Sequence, residues 1–238
     1  MELEFSALRF SRKNPGNNLH LTFSCIKKDS FYTDLDTYLK DIETKFIKIP
    51  EDRIEILQQL GDYVISALNG DGQVQLVFIC THNSRRSQFG QLWASTAAQF
   101  YGIQNIATFS GGTGSTAFNP RAVAAIKRTG FQVEKLEGNI DNPHYIISSG
   151  ENLHGTPMFS KKYDDFSNPE KGFCAIMVCS DADEACPVVP GAEDRISMPY
   201  DDPKEFDDTD QEKIKYDERC RQIAREMFFT FQYVKTNM

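Results

Sequence analysis

The chain contains no apolar run of about eighteen residues, so nothing in it reads as a membrane-spanning helix. It also lacks an excess of positive charge. Its 26 Lys and Arg stand against 34 Asp and Glu, a formal net charge of −8, whereas a surface that tracks nucleic-acid phosphates needs the opposite sign. The amino end, MELEFSALRFSRKN, has neither the apolar stretch nor the small-residue cleavage site of a secretory signal. No internal repeat and no low-complexity tract is visible. These absences lead to the expectation of a cytoplasmic protein with no nucleic-acid and no membrane partner. What is present fits a globular chain: 238 residues, 40% apolar and 25% charged, are enough to bury a substantial core.

Cysteine is the informative residue. Six occur, at positions 25, 80, 174, 179, 186 and 220. In a reducing compartment they are thiols unless they are redox-active or bind metal. Cys25, Cys174 and Cys220 read as small buried hydrophobes. A zinc site built from Cys174, Cys179, Cys186 and Cys220 is not expected, and no metal is assigned.

Periodicity divides the chain. Residues 1–72 read as a helical N-terminal extension: Leu35, Tyr38, Leu39 and Ile42 form one apolar stripe. Ile54, Leu57, Leu60, Val64 and Leu68 form another after Pro50, and Asn69-Gly70-Asp71-Gly72 stops it. Residues 73–238 alternate strands and helices. Val74 to Ile79 reads as a strand buried on both faces, followed by a helix from about Ser87 to Tyr101. A short strand comes at 107–109, then a helix from Pro120 to about Lys127. A second buried strand covers 175–178, and a long helix runs from about 211 to 233. The fold class expected is α/β, a doubly wound parallel sheet with ligands beyond the carboxyl ends of its strands. Residues from about 137 to 171, rich in Pro and Gly, read as an insertion.

The stretch FICTHNSRRSQFGQ carries the chemistry. Cys80 ends a buried strand, Arg86 opens the following helix, and five residues lie between them. In that position the N–H groups of Thr81, His82, Asn83, Ser84, Arg85 and Arg86 can curl around a tetrahedral anion at a helix N-terminus. Arg86 would grip two oxygens bidentately, and the same positive surroundings favour Cys80 as a thiolate nucleophile. Ser87 can donate to that sulfur. His82 and Arg85 read as outward-facing. The run Ser110 to Thr116 is rich in glycine but lacks the lysine of a nucleotide-binding loop, so it reads as a turn lining the cleft.

The Cys-x5-Arg-Ser loop resembles that of the low-molecular-weight protein tyrosine phosphatase superfamily. Ser110-Gly111-Gly112-Thr113 and Asn119-Pro120-Arg121-Ala122-Val123 resemble that family's second-strand loop and next helix, and Asn83 matches its loop asparagine. His82 and Arg85 depart from the pattern, which usually has a glycine two after the nucleophile and often a cysteine before the arginine. Further on, Cys179-x6-Cys186-Pro187 and Asp202-Pro203, sixteen residues after Cys186, resemble the thioredoxin-coupled arsenate reductases of that superfamily. The resemblance implies arsenate reduction by a relay through Cys80, Cys179 and Cys186, with Asp202 as general acid. It implies no bound cofactor and thioredoxin as the external reductant. Residues 180–186, small and polar, are expected to be weakly held, and Asp201 is the competing choice for the acid. Such reductases often bind potassium through a glutamate eleven residues after the nucleophile; Gln91 stands there. The alternative implied is a phosphatase working through a cysteinyl-phosphate, although Lys204 and Glu205 replace the aromatic residues that would grip a phosphotyrosine ring. A non-catalytic oxyanion-binding module is the third reading.

Overall fold

The computed structural model describes residues 30–70, 72–153 and 155–238. Cys25, and the part of the expected extension that precedes residue 30, lie outside the described residues. Helix α1, Thr33–Glu43, buries Leu35, Leu39 and Ile42, and Lys40 in its last turn suits the negative end of the helix dipole. Helix α2, Glu51–Asn69, starts after Pro50, whose φ of −60° suits a helix entrance. It buries Leu57, Leu60, Gly61 and Val64, whereas Ile54 and Leu68 are only partly covered.

The main sheet holds β1 Val74–Cys80, β2 Ile106–Gly112, β6 Phe173–Met177 and β7 Ala192–Ser197, in the order β2-β1-β6-β7. All three pairings are parallel. This is the expected parallel α/β sheet flanked by helices, and its two central strands, β1 and β6, are the most buried. Strand β7 was not anticipated; its sequence, AEDRIS, carries two acids and an arginine that hide its strand character. Helix α3, Arg86–Phe100, connects β1 to β2, and α4, Pro120–Arg128, follows β2. The Asn119 side chain caps α4 by accepting from the N–H of Arg121 at 2.8 Å. The short α5, Ser180–Ala185, leaves the end of β6, and α6, Glu212–Asn237, closes the chain.

The helices ahead of β1 share the core of the sheet. Both α1 and α2 pack on α6, and α2 also reaches β1 and β7. Tyr38 of α1 stacks on Trp93 of α3 at 5.7 Å, and Trp93 meets Phe131 edge-on at 5.2 Å. Between α2 and α6, a Cβ at Gly61 would lie 2.6 Å from the Tyr233 ring, so that crossing needs a glycine.

The segment expected as an insertion, from about 137 to 171, pairs with a strand just ahead of it. Strands β3 Gln132–Lys135, β4 Tyr145–Ser148 and β5 Thr156–Met158 form an antiparallel sheet in the order β3-β4-β5. In β4, Tyr145 and Ile147 are buried while Ile146 and Ser148 are half-covered, a two-residue period too short to stand out beside Pro143, Gly150 and Pro157. Beyond β5 the chain runs along the edge of β2. Gly112 donates to Lys161 O at 3.0 Å, Tyr163 donates to Gly112 O at 3.0 Å, and the Asn168 amide donates to Ser110 O at 3.0 Å. The glycine run is thus strand as far as Gly112, and only residues 113–116 turn as expected. Gly111 and Gly112 are the last residues of β2, and a Cβ on Gly111 would sit 2.3 Å from the Tyr163 Cα.

Candidate active site

The site forms where β1 gives way to α3. Residues 81–85 wrap back on themselves, and Asn83 takes a left-handed φ of 47°, which asparagine tolerates better than most residues. Five consecutive carbonyls of the loop are held from outside. Cys80 O accepts from the N–H of Thr113 at 3.0 Å, and Thr81 O from Gly114 at 2.8 Å. His82 O accepts from Ser160 Oγ at 2.9 Å, Asn83 O from Gln88 Nε2 at 2.9 Å, and Ser84 O from Asn119 at 3.0 Å. Because the C=O and N–H of a trans peptide point opposite ways, this pinning turns the loop amides inward. The N–H groups of residues 82–86 make no hydrogen bond among the described residues. They form a concave set of donors, the arrangement that binds a tetrahedral oxyanion.

Cys80 sits at the floor, 4% exposed, with its sulfur 3.0 Å from Ser87 Oγ. Asn83 Nδ2 donates to that same oxygen at 2.9 Å, which leaves the Ser87 proton free to point at sulfur. Cys80, His82, Ser84, Arg85, Arg86 and Asp202 line a small pocket above it. Arg86 donates through one terminal nitrogen to Tyr200 O at 2.8 Å and through the other to Asp202 at 2.7 Å. Its Nε is buried with no partner, an orphaned cationic donor, which is costly unless a ligand answers it. The competing acid, Asp201, is exposed and pairs with Arg219 at 2.9 Å instead. Asp202 also caps the short 3-10 helix Pro203–Phe206 through the N–H of Lys204 at 3.1 Å.

Arg85 corrects the sequence reading. It does not face outward; it is 8% exposed and donates to Tyr216 Oη at 2.8 Å. It lies 3.5 Å from Asp207 and 3.9 Å from the edge of Asp202, and Tyr216 in turn donates to Asp207 at 2.7 Å. The guanidinium can be buried because α6 and the loop before it supply these partners. Burial, and then the bond to Asp207, push the Tyr216 hydroxyl well above its ordinary range, so it stays a neutral donor. His82 is exposed at the pocket mouth, and Ser84 turns its hydroxyl to Ala117 O at 2.7 Å.

The remaining sulfurs sort by place. Among the described residues all five are free thiols. Cys174 and Cys220 are buried away from the loop; desolvation pushes the Cys174 thiol far up and the Cys220 thiol to about 12, so both are inert at neutral pH. Cys179 follows β6, the neighbour of β1, and its sulfur stands 3.5 Å from Thr81 Oγ1. Cys186 is half-buried at the far end of α5, and Cys179 caps the near end. Spanning six helical residues puts the two about 10 Å apart, beyond the reach of a disulfide while α5 stays wound. The segment, expected to be weakly held, is wound as α5 and has tethers. Asp183 bonds Arg195 at 2.5 Å and Ser197 at 2.7 Å, and Arg195 also holds Cys186 O at 3.2 Å. A polar helix reads as loose until its ion-pair partner, twelve residues on, is seen.

For a bound cation the residues fit poorly. Gln91 is neutral, and its side-chain oxygen already accepts from Ser110 at 2.7 Å. Among the described residues no three His, Cys, Asp or Glu side chains converge as metal ligands, and no helix is long and apolar enough to cross a membrane. Sequence reasoning missed Tyr200, Asp207, Tyr216 and Ser160. Each meets the loop across 78 residues or more, and no local pattern marks them.

No family model matches the chain. Curated relatives do match, three arsenate reductases among them. The arsenate reductase of Bacillus licheniformis is 27% identical over 147 residues, covering 61% of this chain and 86% of its own length. That of Bacillus subtilis is 28% identical over 146 residues, with 61% and 86% covered. That of Halalkalibacterium halodurans is 27% identical over 156 residues, with 66% and 93% covered. Among solved structures, a low-molecular-weight protein tyrosine phosphatase from T. tengcongensis aligns with a TM-score of 0.45 and 12% identity, covering 67% of this chain and 99% of its own. An arsenate reductase in the phosphate-binding state aligns with a TM-score of 0.39 and 19% identity, covering 69% and 98%. At 27–28% identity, these relatives and the Cys-x5-Arg-Ser loop support a likeness to the low-molecular-weight protein tyrosine phosphatase superfamily, near its arsenate reductases.

Proposed function

We propose that the chain reduces arsenate to arsenite, drawing two electrons from its own thiols and recovering them from an external dithiol of the thioredoxin type. The observation that supports this over simple ester hydrolysis is the place of Cys179. It follows the strand hydrogen-bonded to β1, and its sulfur is 3.5 Å from the first residue of the anion loop. A hydrolase that needs only a nucleophile, an arginine and an acid has no use for it.

Arsenate is held by the N–H groups of residues 82–86 and by Arg86. Cys80 Sγ attacks arsenic, and an oxygen departs as water with a proton from Asp202. The Cys179 thiolate then attacks Cys80 Sγ. A sulfur–sulfur bond forms, the sulfur–arsenic bond breaks, and its electron pair stays on arsenic, which leaves as arsenite. Two thiols are oxidised by two electrons and arsenic is reduced by two. Unwinding of α5 lets the Cys186 thiolate attack Cys179, which frees Cys80 and leaves a Cys179–Cys186 disulfide for the external dithiol, a reaction suited to the cytoplasm.

The test is NADPH consumption with arsenate, thioredoxin and thioredoxin reductase, for the wild type and for Cys80→Ser, Cys179→Ser and Cys186→Ser. Reduction requires all three variants to lose multiple turnover. A cradle of amides and one guanidinium takes phosphate as readily as arsenate, and this supports the second reading, a phosphatase with a cysteinyl-phosphate intermediate. That reading requires hydrolysis of an aryl phosphate that only Cys80→Ser abolishes, with no arsenate-dependent loss of NADPH.

A further inference from the structure

The segment after β5 does more than cover an edge of the sheet. Ser160 is 2% exposed, and its hydroxyl joins two loops, accepting from Thr116 N at 2.9 Å and donating to His82 O at 2.9 Å. The residue is itself clamped. The Asn142 carboxamide donates to Ser160 O at 2.7 Å and accepts from Ser160 N at 3.2 Å. Asn142 is set by a turn in which its own N–H donates to Asn139 Oδ1 at 3.1 Å. One residue on, Lys161 N donates to Asn83 Oδ1 at 2.9 Å, and its carbonyl accepts from Gly112 at 3.0 Å. Fixing Asn83 Oδ1 directs Asn83 Nδ2 to Ser87, and Ser87 to the sulfur of Cys80.

Of the five loop carbonyls, those of Cys80, Thr81 and Ser84 are held by main-chain N–H groups and that of Asn83 by Gln88 from α3. Only His82 O depends on a hydroxyl brought in from the region of the second sheet. That carbonyl shares its peptide plane with the N–H of Asn83. Turning the one outward turns the other toward the anion.

We propose that Ser160 is a positioning residue for the anion loop: its hydroxyl, held by the Asn142 clamp, fixes the His82–Asn83 peptide so that its N–H faces the bound oxyanion. The segment Phe159 to Lys162 is then a strap that completes the cradle from outside the α/β core. The proposal rests on the anion-binding half of the function above and not on the redox relay. Both readings of that function require the cradle.

The experiment reads anion binding without turnover. Alkylation of Cys80 by iodoacetamide is followed by peptide mass spectrometry on the full chain, with inorganic phosphate as the protecting ligand. Loss of one hydrogen bond predicts that Ser160→Ala raises the half-protecting phosphate concentration about five- to tenfold, with the melting temperature as a check on folding. Ser160→Thr, which keeps the hydroxyl, restores it to within about twofold. Asn142→Asp, at a half-exposed position, keeps the acceptor for Ser160 N, loses the donor to Ser160 O and raises the value about threefold. In whichever turnover assay is active, Ser160→Ala raises KM by a like factor and changes kcat less. A Ser160→Ala protein protected by phosphate as well as the wild type, even one with a lower melting temperature, makes Ser160 merely structural and overturns the proposal. So does failure of Ser160→Thr to restore protection. A wild type that phosphate does not protect removes the cradle, and this proposal with it, whereas a protected wild type that never reduces arsenate removes only the redox reading.

Discussion

Lys161 offers a prediction whose sign is easily tested. Its side chain is 6% exposed, with the ammonium over the Phe159 ring at 4.5 Å from the centroid. Desolvation lowers its pKa from the ordinary 10.5 to about 8, opposed only by the charge of Asp165. A drop of that size corresponds to about 3 kcal/mol. Below pH 8 the lysine is charged in both the folded and the unfolded chain, and the folded state carries this whole cost. Between pH 8 and 10.5 the folded lysine loses its proton first, so the wild type gains stability as pH rises, and above that window the cost is gone. Lys161→Met keeps the length of the stem and removes the charge. Losing the contact with Phe159 gives back about 1 kcal/mol, so the variant is expected to be more stable at pH 7 by about 1–3 kcal/mol. Urea unfolding at pH 7 and at pH 10, in reductant, measures the difference, which should shrink toward zero at the higher pH. A variant destabilised equally at both values would refute the reasoning.

Three further outcomes follow from the geometry. Arg53→Ala strands Glu226, which is fully buried and bonded to Arg53 Nε at 2.8 Å, and should cost about 3–5 kcal/mol by denaturant unfolding, most of it regained in Arg53→Met/Glu226→Leu. Asp202→Asn should lower kcat by about 10²–10⁴ in the active turnover assay while phosphate still protects Cys80, since the loop amides remain; loss of protection would mean that Asp202 shapes the cradle. Cys186→Ser, mixed with excess arsenate and no reductant, should yield about one arsenite per chain, by rapid-quench analysis, and then stop. Undiminished steady turnover of this variant once thioredoxin, thioredoxin reductase and NADPH are supplied would exclude Cys186 from the relay.

How much of this was legible depends on distance along the chain. The buried strand from Val74 and the helix that opens near Ser87 read correctly because they lie next to one another and each leaves a local mark. The loop's supports lie elsewhere. Arg85 reads as a surface residue because nothing near it in sequence can partner a buried guanidinium; Tyr216 and Asp207 arrive only when α6 packs. The strap reads as irregular because its order consists of hydrogen bonds to β2 and to the loop, not of periodic apolar residues. Strands β3, β4 and β5, of four, four and three residues, are too short to show a period among prolines and glycines.

Arg86 already has a counter-ion in Asp202, 2.7 Å away. An arriving anion therefore enters a competition, and a singly charged ion such as chloride, which cannot engage several amides at once, has little to offer against a carboxylate in place. A tetrahedral dianion brings a second charge and enough oxygens for the inward N–H groups. The pocket thus sorts anions by valence before any bond to sulfur is made.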